Sequence, residues 1–190
     1  PDKILLQKAT DFHGQFEFKP LEPGFGQTIG NSLRRILLSS LEGYAISAIR
    51  IAGVDHEFSS IPGVVEDVVD IILNIKQIRL KSAVKGDKAT EHQIYITISG
   101  QDEFRAKDIE SRTNMFKVMN PELLICKMEP SVNLELEMTI TKGRGYVPAE
   151  ENMPENAPIG VIPVDAIYTP LKKVSYHVSN TRVGQRTDYE

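Results

Sequence analysis

The 190-residue sequence contains no tryptophan and only one cysteine, Cys126. A single thiol excludes an intramolecular disulfide and any metal site built from several cysteines. Cys126 lies in the apolar run "ELLICKM". This pattern predicts a buried thiol that packs as a small hydrophobic side chain.

Long apolar runs and a surplus of positive charge are also missing. No run approaches the roughly 18 residues of a membrane span, and the first residues do not resemble a secretory signal. The formal net charge is −4, whereas nucleic-acid-binding domains usually carry a basic surplus. We therefore expect a soluble chain with no membrane partner in a reducing compartment, the cytoplasm. We also expect that both ends of the sequence are cropped.

Patterns for catalysis and metal binding are absent from the sequence. The histidines have no metal-ligand spacing; they are His13, His56, His92 and His177. Neither a Gly-x-Ser-x-Gly elbow nor a P-loop run occurs. We therefore expect no catalytic site, no metal and no cofactor in this chain.

What the sequence does contain is alternation of apolar and polar residues. Period two predicts half-buried strands, most simply in antiparallel sheets. The alternating runs are "QFEFKP", "HQIYITISG", "VNLELEMTIT" and "KKVSYHVSN", and "YAISAIRIAGV" alternates less regularly. These runs predict an α+β protein with antiparallel sheets and few helices.

Two segments have helical spacing instead. The first covers about residues 28–42, with Gly43 as its C-terminal stop. The second covers about residues 64–79 after "SSIPG", with Glu66 and Asp67 in the first turn, where the helix dipole favours acidic groups.

The remaining part of the chain gives two predictions about organisation. The run "YVPAEENMPENAPIG" has no periodicity and predicts a long loop. No linker divides the chain into two consecutive domains. A second domain is therefore expected as an insertion rather than as an addition at one end.

The stretch "EPGFGQTIGNSLRRILLSS" opens the first predicted helix with Gly24, Gly26 and Gly30. Their spacing, Gly-x-Gly-x-x-x-Gly, is one residue longer than a dinucleotide fingerprint, and Ile29 occupies the place of the third glycine. We expect these glycines to let the chain turn and pack closely, and to cradle no ligand.

At about 100° per residue, this first helix has one apolar and one polar side. The apolar side is predicted to be a core stripe and contains Ile29, Leu33, Ile36, Leu37, Ser40 and Leu41. The polar side contains Asn31, Arg34, Arg35, Leu38 and Ser39. A leucine beside two arginines is typical of an interface anchor, and two solvated arginines beside an incidental leucine fit the pattern equally well.

Two further cations allow two interpretations each. Lys76 lies among apolar residues of the second predicted helix, so its ammonium group either reaches solvent past the core edge or meets an acidic group of a partner. Arg144 lies between Gly143 and Gly145, before acidic residues that would repel phosphate. We expect a turn or partner-docking loop there rather than an RNA-binding segment.

The run "LEPGFGQTIGNSLRRILLSSLEG" resembles the amino-terminal domain of the bacterial RNA polymerase alpha subunit family. The runs "GVDHEFSSIPGVVEDVVDIILNIKQI", "KGRGYVPAEEN" and "TRVGQRTDYE" resemble further segments of that family in the same order, so the resemblance covers essentially the whole chain. Details such as "YVPAEEN" are similar to the Bacteroidetes branch. One departure is Gly184, where the family usually carries a glutamate.

The resemblance implies a discontinuous dimerisation subdomain, residues 1–42 and 169–190, interrupted by an inserted, mostly β subdomain at 43–168. It also implies that a later dimerisation helix follows Glu190. The predicted core of the dimerisation helix within this chain comprises Ile29, Leu33, Ile36, Leu37 and Leu41.

The resemblance also implies a role as a non-catalytic assembly platform. Two copies would dimerise and recruit the beta and then the beta-prime subunit of the polymerase, with DNA contacted only through the complex. The predicted partner-binding residues are Arg34, Arg35, Leu38, Lys76 and Arg144, of which the family motifs supply Arg35, Leu38 and Lys76. Two alternatives are a nucleotide-dependent enzyme that uses the glycine loop and a nucleic-acid-binding module that uses the arginines.

Overall fold

The computed structural model describes residues 3–84, 89–153 and 157–190. The strands, in chain order, are β1 (Lys3–Thr10), β2 (His13–Lys19), β3 (Glu42–Ile51), β4 (Leu80–Ser82), β5 (Glu91–Ser99), β6 (Glu103–Arg105), β7 (Phe116–Val118), β8 (Leu124–Lys127), β9 (Asn133–Arg144), β10 (Tyr146–Val147), β11 (Val161–Pro163), β12 (Ala166–Ile167), β13 (Thr181–Val183) and β14 (Arg186–Tyr189). The helices are α1 (Phe25–Ser39), α2 (Val68–Ile75), α3 (Ala106–Arg112) and α4 (Ala149–Asn152). The predicted α+β class with antiparallel sheets and few helices is confirmed.

The chain folds as two compact units, one of them discontinuous in sequence. Residues Pro1–Leu38 and Leu171–Glu190 form the first unit, and Ser39–Pro170 form the second. The first unit contains the β1–β2 hairpin, α1 and the β13–β14 hairpin. Its assignment as a dimerisation subdomain stays a prediction.

The Ser39–Pro170 unit is built around a six-stranded sheet. Five strands follow the order β5-β9-β3-β4-β7, and β11 also pairs with β3. Alternate residues of β5 and β9 are buried because they point into the core, as period two predicts. The side chains that pack with them include Val68, Ile71 and Ile75 of α2 and Phe104, Ile109, Ile125 and Cys126. The prediction of a buried Cys126 is confirmed.

The bounds predicted for the first helix are wrong at both ends. The helix α1 begins at Phe25 and ends at Ser39, and Gly43 lies inside β3 rather than after a helix. The reason is that residues from Glu42 onward pair with β9, beginning with Glu42 opposite Arg144. The strand ladder determines the conformation of Gly43, although glycine by itself also suits a helix end.

The second helix is shorter than predicted at both ends, since it begins at Val68 rather than at about residue 64 and ends at Ile75 rather than at about residue 79. Asp67 is the N-cap, and its carboxylate accepts a hydrogen bond from the Asp70 amide at 2.8 Å. Glu66 precedes the helix, and its carboxylate accepts a hydrogen bond from the Lys127 amide at 2.6 Å. The expected first-turn role of Glu66 and Asp67 is therefore wrong, and Asp70 is the acidic residue of that turn.

The strand predicted in "KKVSYHVSN" is not a strand in the structure, since Lys173–Asn180 have no regular secondary structure. Its alternation has another cause. A Cβ atom built on Gly26 would lie 2.9 Å from Val178, and one built on Gly30 would lie 2.4 Å from Tyr176. Alternate side chains of this segment therefore pack against glycines one helical turn apart on α1 rather than against a strand.

The long loop predicted at residues 146–160 contains regular structure. Tyr146 and Val147 pair with β12, and Ala149–Asn152 form α4. The Asn152 side-chain amide donates to the Val164 carbonyl at 2.8 Å, which ties this segment to the chain beyond it. Residues 154–156, which belong to the same predicted loop, lie outside the described residues.

The apolar stripe of α1 is only partly covered within its unit. Ile29, Leu33 and Leu37 are half-buried, whereas Ile36 is 54% exposed. Leu41 and Ser40 follow the end of the helix. The stripe is therefore not a closed core of this chain, and the expectation of a buried Ile36 is wrong for the single copy.

Candidate functional site

The helix α1 presents Arg34 and Arg35 as exposed cations, as its helical wheel predicts. Leu38 is half-buried rather than fully exposed. Arg35 and Leu38 are three residues apart and therefore neighbours on the helix surface. This pairing of a cation with partly covered apolar area can bind a carboxylate and an apolar side chain together.

A groove of about 590 Å³ runs beside α1 in the same unit. Its lining residues are Gln27, Arg34 and the segment Lys173–Val178. The Gln27 side-chain amide donates to the Tyr176 hydroxyl at 2.8 Å, which ties the helix to that segment. Arg34 and Lys173 give the groove a positive charge, so it suits an acidic segment better than a basic one.

The glycine loop at the start of α1 holds a carboxylate of the chain itself. The amides of Gly24 and Gly26 donate to the two carboxylate oxygens of Glu190 at 3.0 and 2.7 Å. The glycines thus hold an acidic group of the chain itself, and the expectation that they cradle no external ligand stays a prediction. Unpaired amides at a helix N-terminus favour an anion, and an external phosphate would have to displace Glu190 to use them.

Lys76, at the C-terminal end of α2, forms an ion pair with an acidic group of the same unit. Its ammonium lies 3.5 Å from an Asp165 carboxylate oxygen, and both side chains are nearly 30% exposed. Asp165 also accepts a hydrogen bond from the Ala149 amide at 2.9 Å. That bond, a hydrogen bond with Tyr146 and the charge of Lys76 hold the pKa of Asp165 below its usual value.

We expect Asp165→Asn to destabilise this unit by about 1 kcal/mol at pH 7, because the charge-assisted bonds weaken. A lowered folded-state pKa stabilises the fold above the unfolded value of about 4, and this contribution is lost as the pH falls through the folded-state pKa. The difference in the free energy of unfolding between wild type and variant should therefore shrink to zero as the pH falls. Urea unfolding between pH 7 and pH 2.5 measures it, with exposed Asp55→Asn as the control. A difference that is constant with pH would contradict this role of Asp165.

Arg144 also has a partner within the chain. Its guanidinium donates to Glu42 at 2.8 Å, and the Lys142 ammonium lies 3.0 Å from the same carboxylate. Arg144 and Lys142 hold the pKa of Glu42 below its usual value. Arg144 nevertheless remains 63% exposed, so one side of its guanidinium is accessible to a partner.

The Cys126 thiol is buried and has low reactivity as a nucleophile. Burial is the main factor that raises the pKa of Cys126 to about 12, so the thiol is protonated at neutral pH.

Among the described residues, no three His, Cys, Asp or Glu side chains are grouped so as to hold a metal ion. In the same part of the chain, every helix is too short or too polar to span a membrane.

The predicted partner-binding residues fall into two sets. Arg34, Arg35 and Leu38 lie on one helix of the discontinuous unit, and Lys76 and Arg144 lie in the Ser39–Pro170 unit. The acidic groups that hold Lys76, Arg144 and the start of α1 were not predicted from the sequence, and they are Asp165, Glu42 and Glu190. No local pattern marks these three residues, because each contact joins positions far apart in the chain.

Comparison with known proteins gives one consistent result. A family model described as the RNA polymerase Rpb3/RpoA insert domain matches residues 49–169. The chain is 58% identical to the DNA-directed RNA polymerase subunit alpha of Cytophaga hutchinsonii and 56% identical to that of Flavobacterium psychrophilum. It is 46% identical to the subunit of the same name from Salinibacter ruber.

Each of these alignments covers 100% of this chain and 57% of the relative, so the chain spans somewhat over half the length of the curated relatives it matches. The expected resemblance to the Bacteroidetes branch is confirmed. Because the family model covers well over half of the chain, and because the relatives align with all of it, the chain belongs to the bacterial RNA polymerase alpha subunit family.

Proposed function

We propose that this chain is the assembly platform of an alpha subunit in DNA-directed RNA polymerase. Two copies dimerise through the discontinuous unit and recruit the beta and beta-prime subunits. The chain contributes no catalytic site, and it meets DNA only through the complex. The complex works in the cytoplasm.

The observation that supports dimerisation is the uncovered apolar surface of α1. Ile36 is 54% exposed, and Ile29, Leu33 and Leu37 are half-buried. A contiguous apolar stripe of this kind is characteristic of a surface that another chain covers. A two-fold axis would bring the same stripe of a second copy against it, so that each half-buried side chain becomes buried.

The proposed contacts with the large subunits use the cations beside this stripe and those of the Ser39–Pro170 unit. Arg35 and Leu38 form one anchor on α1. Lys76 forms another, and its ion pair with Asp165 limits the directions in which the ammonium group points. Arg144, held from one side by Glu42, offers the rest of its guanidinium to a carboxylate.

We expect Arg35→Ala and Leu38→Ala to lower capture of the beta subunit at least about tenfold, since truncating an interface anchor costs upwards of about 1.4 kcal/mol. The measurement is co-purification of beta with the chain extended to the full length of its relatives. Circular dichroism and light scattering establish that each variant is folded and dimeric.

Arg186→Ala is the matched control, because Arg186 is 66% exposed in the same unit and lies outside the proposed anchor. It should capture beta as the wild type does. A wild-type protein that is folded and dimeric but captures no beta would contradict the platform function. Loss of folding in Arg35→Ala would instead assign Arg35 a structural role.

A further inference from the structure

The strand β5 forms an open edge of the six-stranded sheet. It pairs with β9 on one side, and within the described residues no strand pairs with its other side. With nine residues, it is longer than the five or six of a common strand. An edge of this length has enough backbone groups to bind a further strand.

The backbone groups that face the open side follow from the ladder. The Lys142 amide donates to the Thr90 carbonyl at 2.8 Å. Hydrogen-bonded pairs alternate along an antiparallel ladder, so Ile94 and Ile96 direct their amides and carbonyls toward β9. The amides and carbonyls of Gln93, Tyr95 and Thr97 therefore point away from the sheet.

The strand lacks a lysine, a proline and a bulge, which are three features that commonly block edge pairing, although it contains Glu91 and is contacted by α3. Its sequence, "EHQIYITIS", has no lysine and no proline. The ladder runs from Glu91 opposite Thr141 to Ser99 opposite Asn133 without a register shift, so no bulge twists the edge away. Protected edges generally use one of these devices. Their absence leaves the outward backbone groups of Gln93, Tyr95 and Thr97 able to bond a further strand.

The solvent-facing side of the sheet next to this edge is acidic. Glu135 is exposed opposite Thr97, and Glu137 lies opposite Tyr95. The Tyr95 hydroxyl donates to Glu137 at 2.9 Å, and its side chain is 68% exposed. Arg50 lies 3.8 Å from Glu137 and partly balances this charge. The surface thus offers carboxylates and an accessible aromatic ring to a neighbouring strand.

We propose that the open edge of β5 binds an extended basic segment of a partner protein by strand addition. The added strand lies about 4.8 Å from β5, and its backbone bonds Gln93, Tyr95 and Thr97. Lysine or arginine at alternate positions reaches Glu135 and Glu137 and stacks on Tyr95. β-Branched residues at the other positions continue the apolar side of the sheet.

A second copy of this chain is the poorer occupant of the edge. Antiparallel pairing of β5 with itself places Tyr95 opposite Tyr95 and brings two copies of the same acidic face side by side. Like charges on neighbouring strands destabilise such pairing. A basic segment neutralises the same face, so charge complementarity selects the heterologous partner.

The test uses the whole chain and the acetylated, amidated peptide Thr-Lys-Val-Lys-Val-Arg-Val-Lys-Thr. Isothermal titration calorimetry at low salt is expected to give a Kd of about 10–100 μM, within the range of weak peptide docking. Two control peptides keep the length. One replaces every cation by glutamate, and the other is N-methylated at alternate amides, which removes its strand hydrogen bonds. Both should bind at least about tenfold more weakly.

Variants of the chain locate the site. Thr97→Pro removes an edge amide at a position where an edge strand tolerates proline, and it should weaken binding about tenfold. The double variant Glu135→Lys with Glu137→Lys should also weaken peptide binding about tenfold. Glu122→Lys should leave binding unchanged, because that side chain is 79% exposed and lies before β8. Circular dichroism confirms that each variant is folded.

Three results would overturn the proposal. The first is a folded wild-type chain that does not bind the basic peptide. The second is equal binding of the N-methylated peptide, which would show charge attraction without strand addition. The third is self-association of the chain that Thr97→Pro abolishes, because a second copy would then occupy the edge.

Discussion

Replacing Gly43 by alanine is expected to destabilise the Ser39–Pro170 unit by about 3 kcal/mol or more. A Cβ atom built at Gly43 lies 1.9 Å from the carbonyl oxygen of Tyr168, which no real pair of atoms tolerates. The strand β3 and the Tyr168 segment would have to separate. That movement breaks contacts on both sides of the segment.

Tyr168 has little freedom to move because it is held at three points. Its amide donates to the Gly145 carbonyl at 2.9 Å, and its hydroxyl bonds the Thr141 hydroxyl at 2.7 Å. Its ring lies over Gly143, where an added Cβ would come within 2.6 Å. Gly43 and Gly143 are partners across the β3–β9 ladder. The paired glycines therefore form the slot in which Tyr168 lies.

Thermal or urea unfolding measures this effect, and a loss of 3 kcal/mol corresponds to a fall in Tm of about 10 °C for a unit of this size. Gly14→Ala is the matched control in a strand. Its added Cβ would meet only the ring edge of Phe16 at 3.1 Å, and that side chain is 58% exposed and able to turn. The control should change stability by less than about 0.5 kcal/mol. An unchanged midpoint for Gly43→Ala would show that Tyr168 is not fixed against β3.

Gly43 also shows where local sequence signals fail. A glycine after an apolar helical pattern is a sound signal for a helix end. Here α1 ends earlier, and Gly43 is glycine because Tyr168 approaches it from 125 positions further along the chain. A close approach between distant segments produces no periodicity in the sequence. The packing role of Gly43 could therefore not be recognised from its local pattern, which predicted a helix end instead.

The alternation of apolar and polar residues was the most reliable signal in the sequence. It indicates that one face of a segment is buried, which is not the same as membership of a sheet. In β5 and β9 the two coincide, and the period-two prediction is confirmed. In Lys173–Val178 the same alternation arises because Tyr176 and Val178 pack on a helix. Period two identifies an extended segment with one covered face. The identity of what covers that face depends on the rest of the fold.

The acidic groups that pair with the predicted cations could also not be identified from the sequence. Lys76 stands out on a helical wheel because a cation is unusual among apolar residues. Asp165 does not stand out in "GVIPVDAIY", although it pairs with Lys76. A residue that is unusual for its own element can be found from sequence. Its partner can be found only when the fold brings the two together.

The discontinuous unit should depend strongly on Glu190. Within its described residues only Leu21 and Gly26 are buried, so hydrophobic burial contributes little to it. Glu190 holds the start of α1 through four hydrogen bonds. Its carboxylate accepts from the Gly24 and Gly26 amides, and its backbone exchanges two bonds with Leu21 at 2.6 and 2.9 Å. We expect Glu190→Ala to cost about 2 kcal/mol, because the two side-chain bonds involve a charged acceptor and the backbone bonds remain.

Amide hydrogen exchange in α1 measures this cost locally, and 2 kcal/mol corresponds to about 30-fold faster exchange. Glu190→Gln should fall between wild type and alanine, since it keeps one oxygen acceptor but loses the charge. Asp188→Ala is the control, because Asp188 is exposed and pairs only with Arg186 among the described residues. Unchanged exchange in Glu190→Ala would mean that water satisfies the glycine amides as well as the carboxylate does. Faster exchange would show instead that the glycine loop requires an anion and that the chain supplies its own. A nucleotide at this loop would then have to compete with a carboxylate that is already in place.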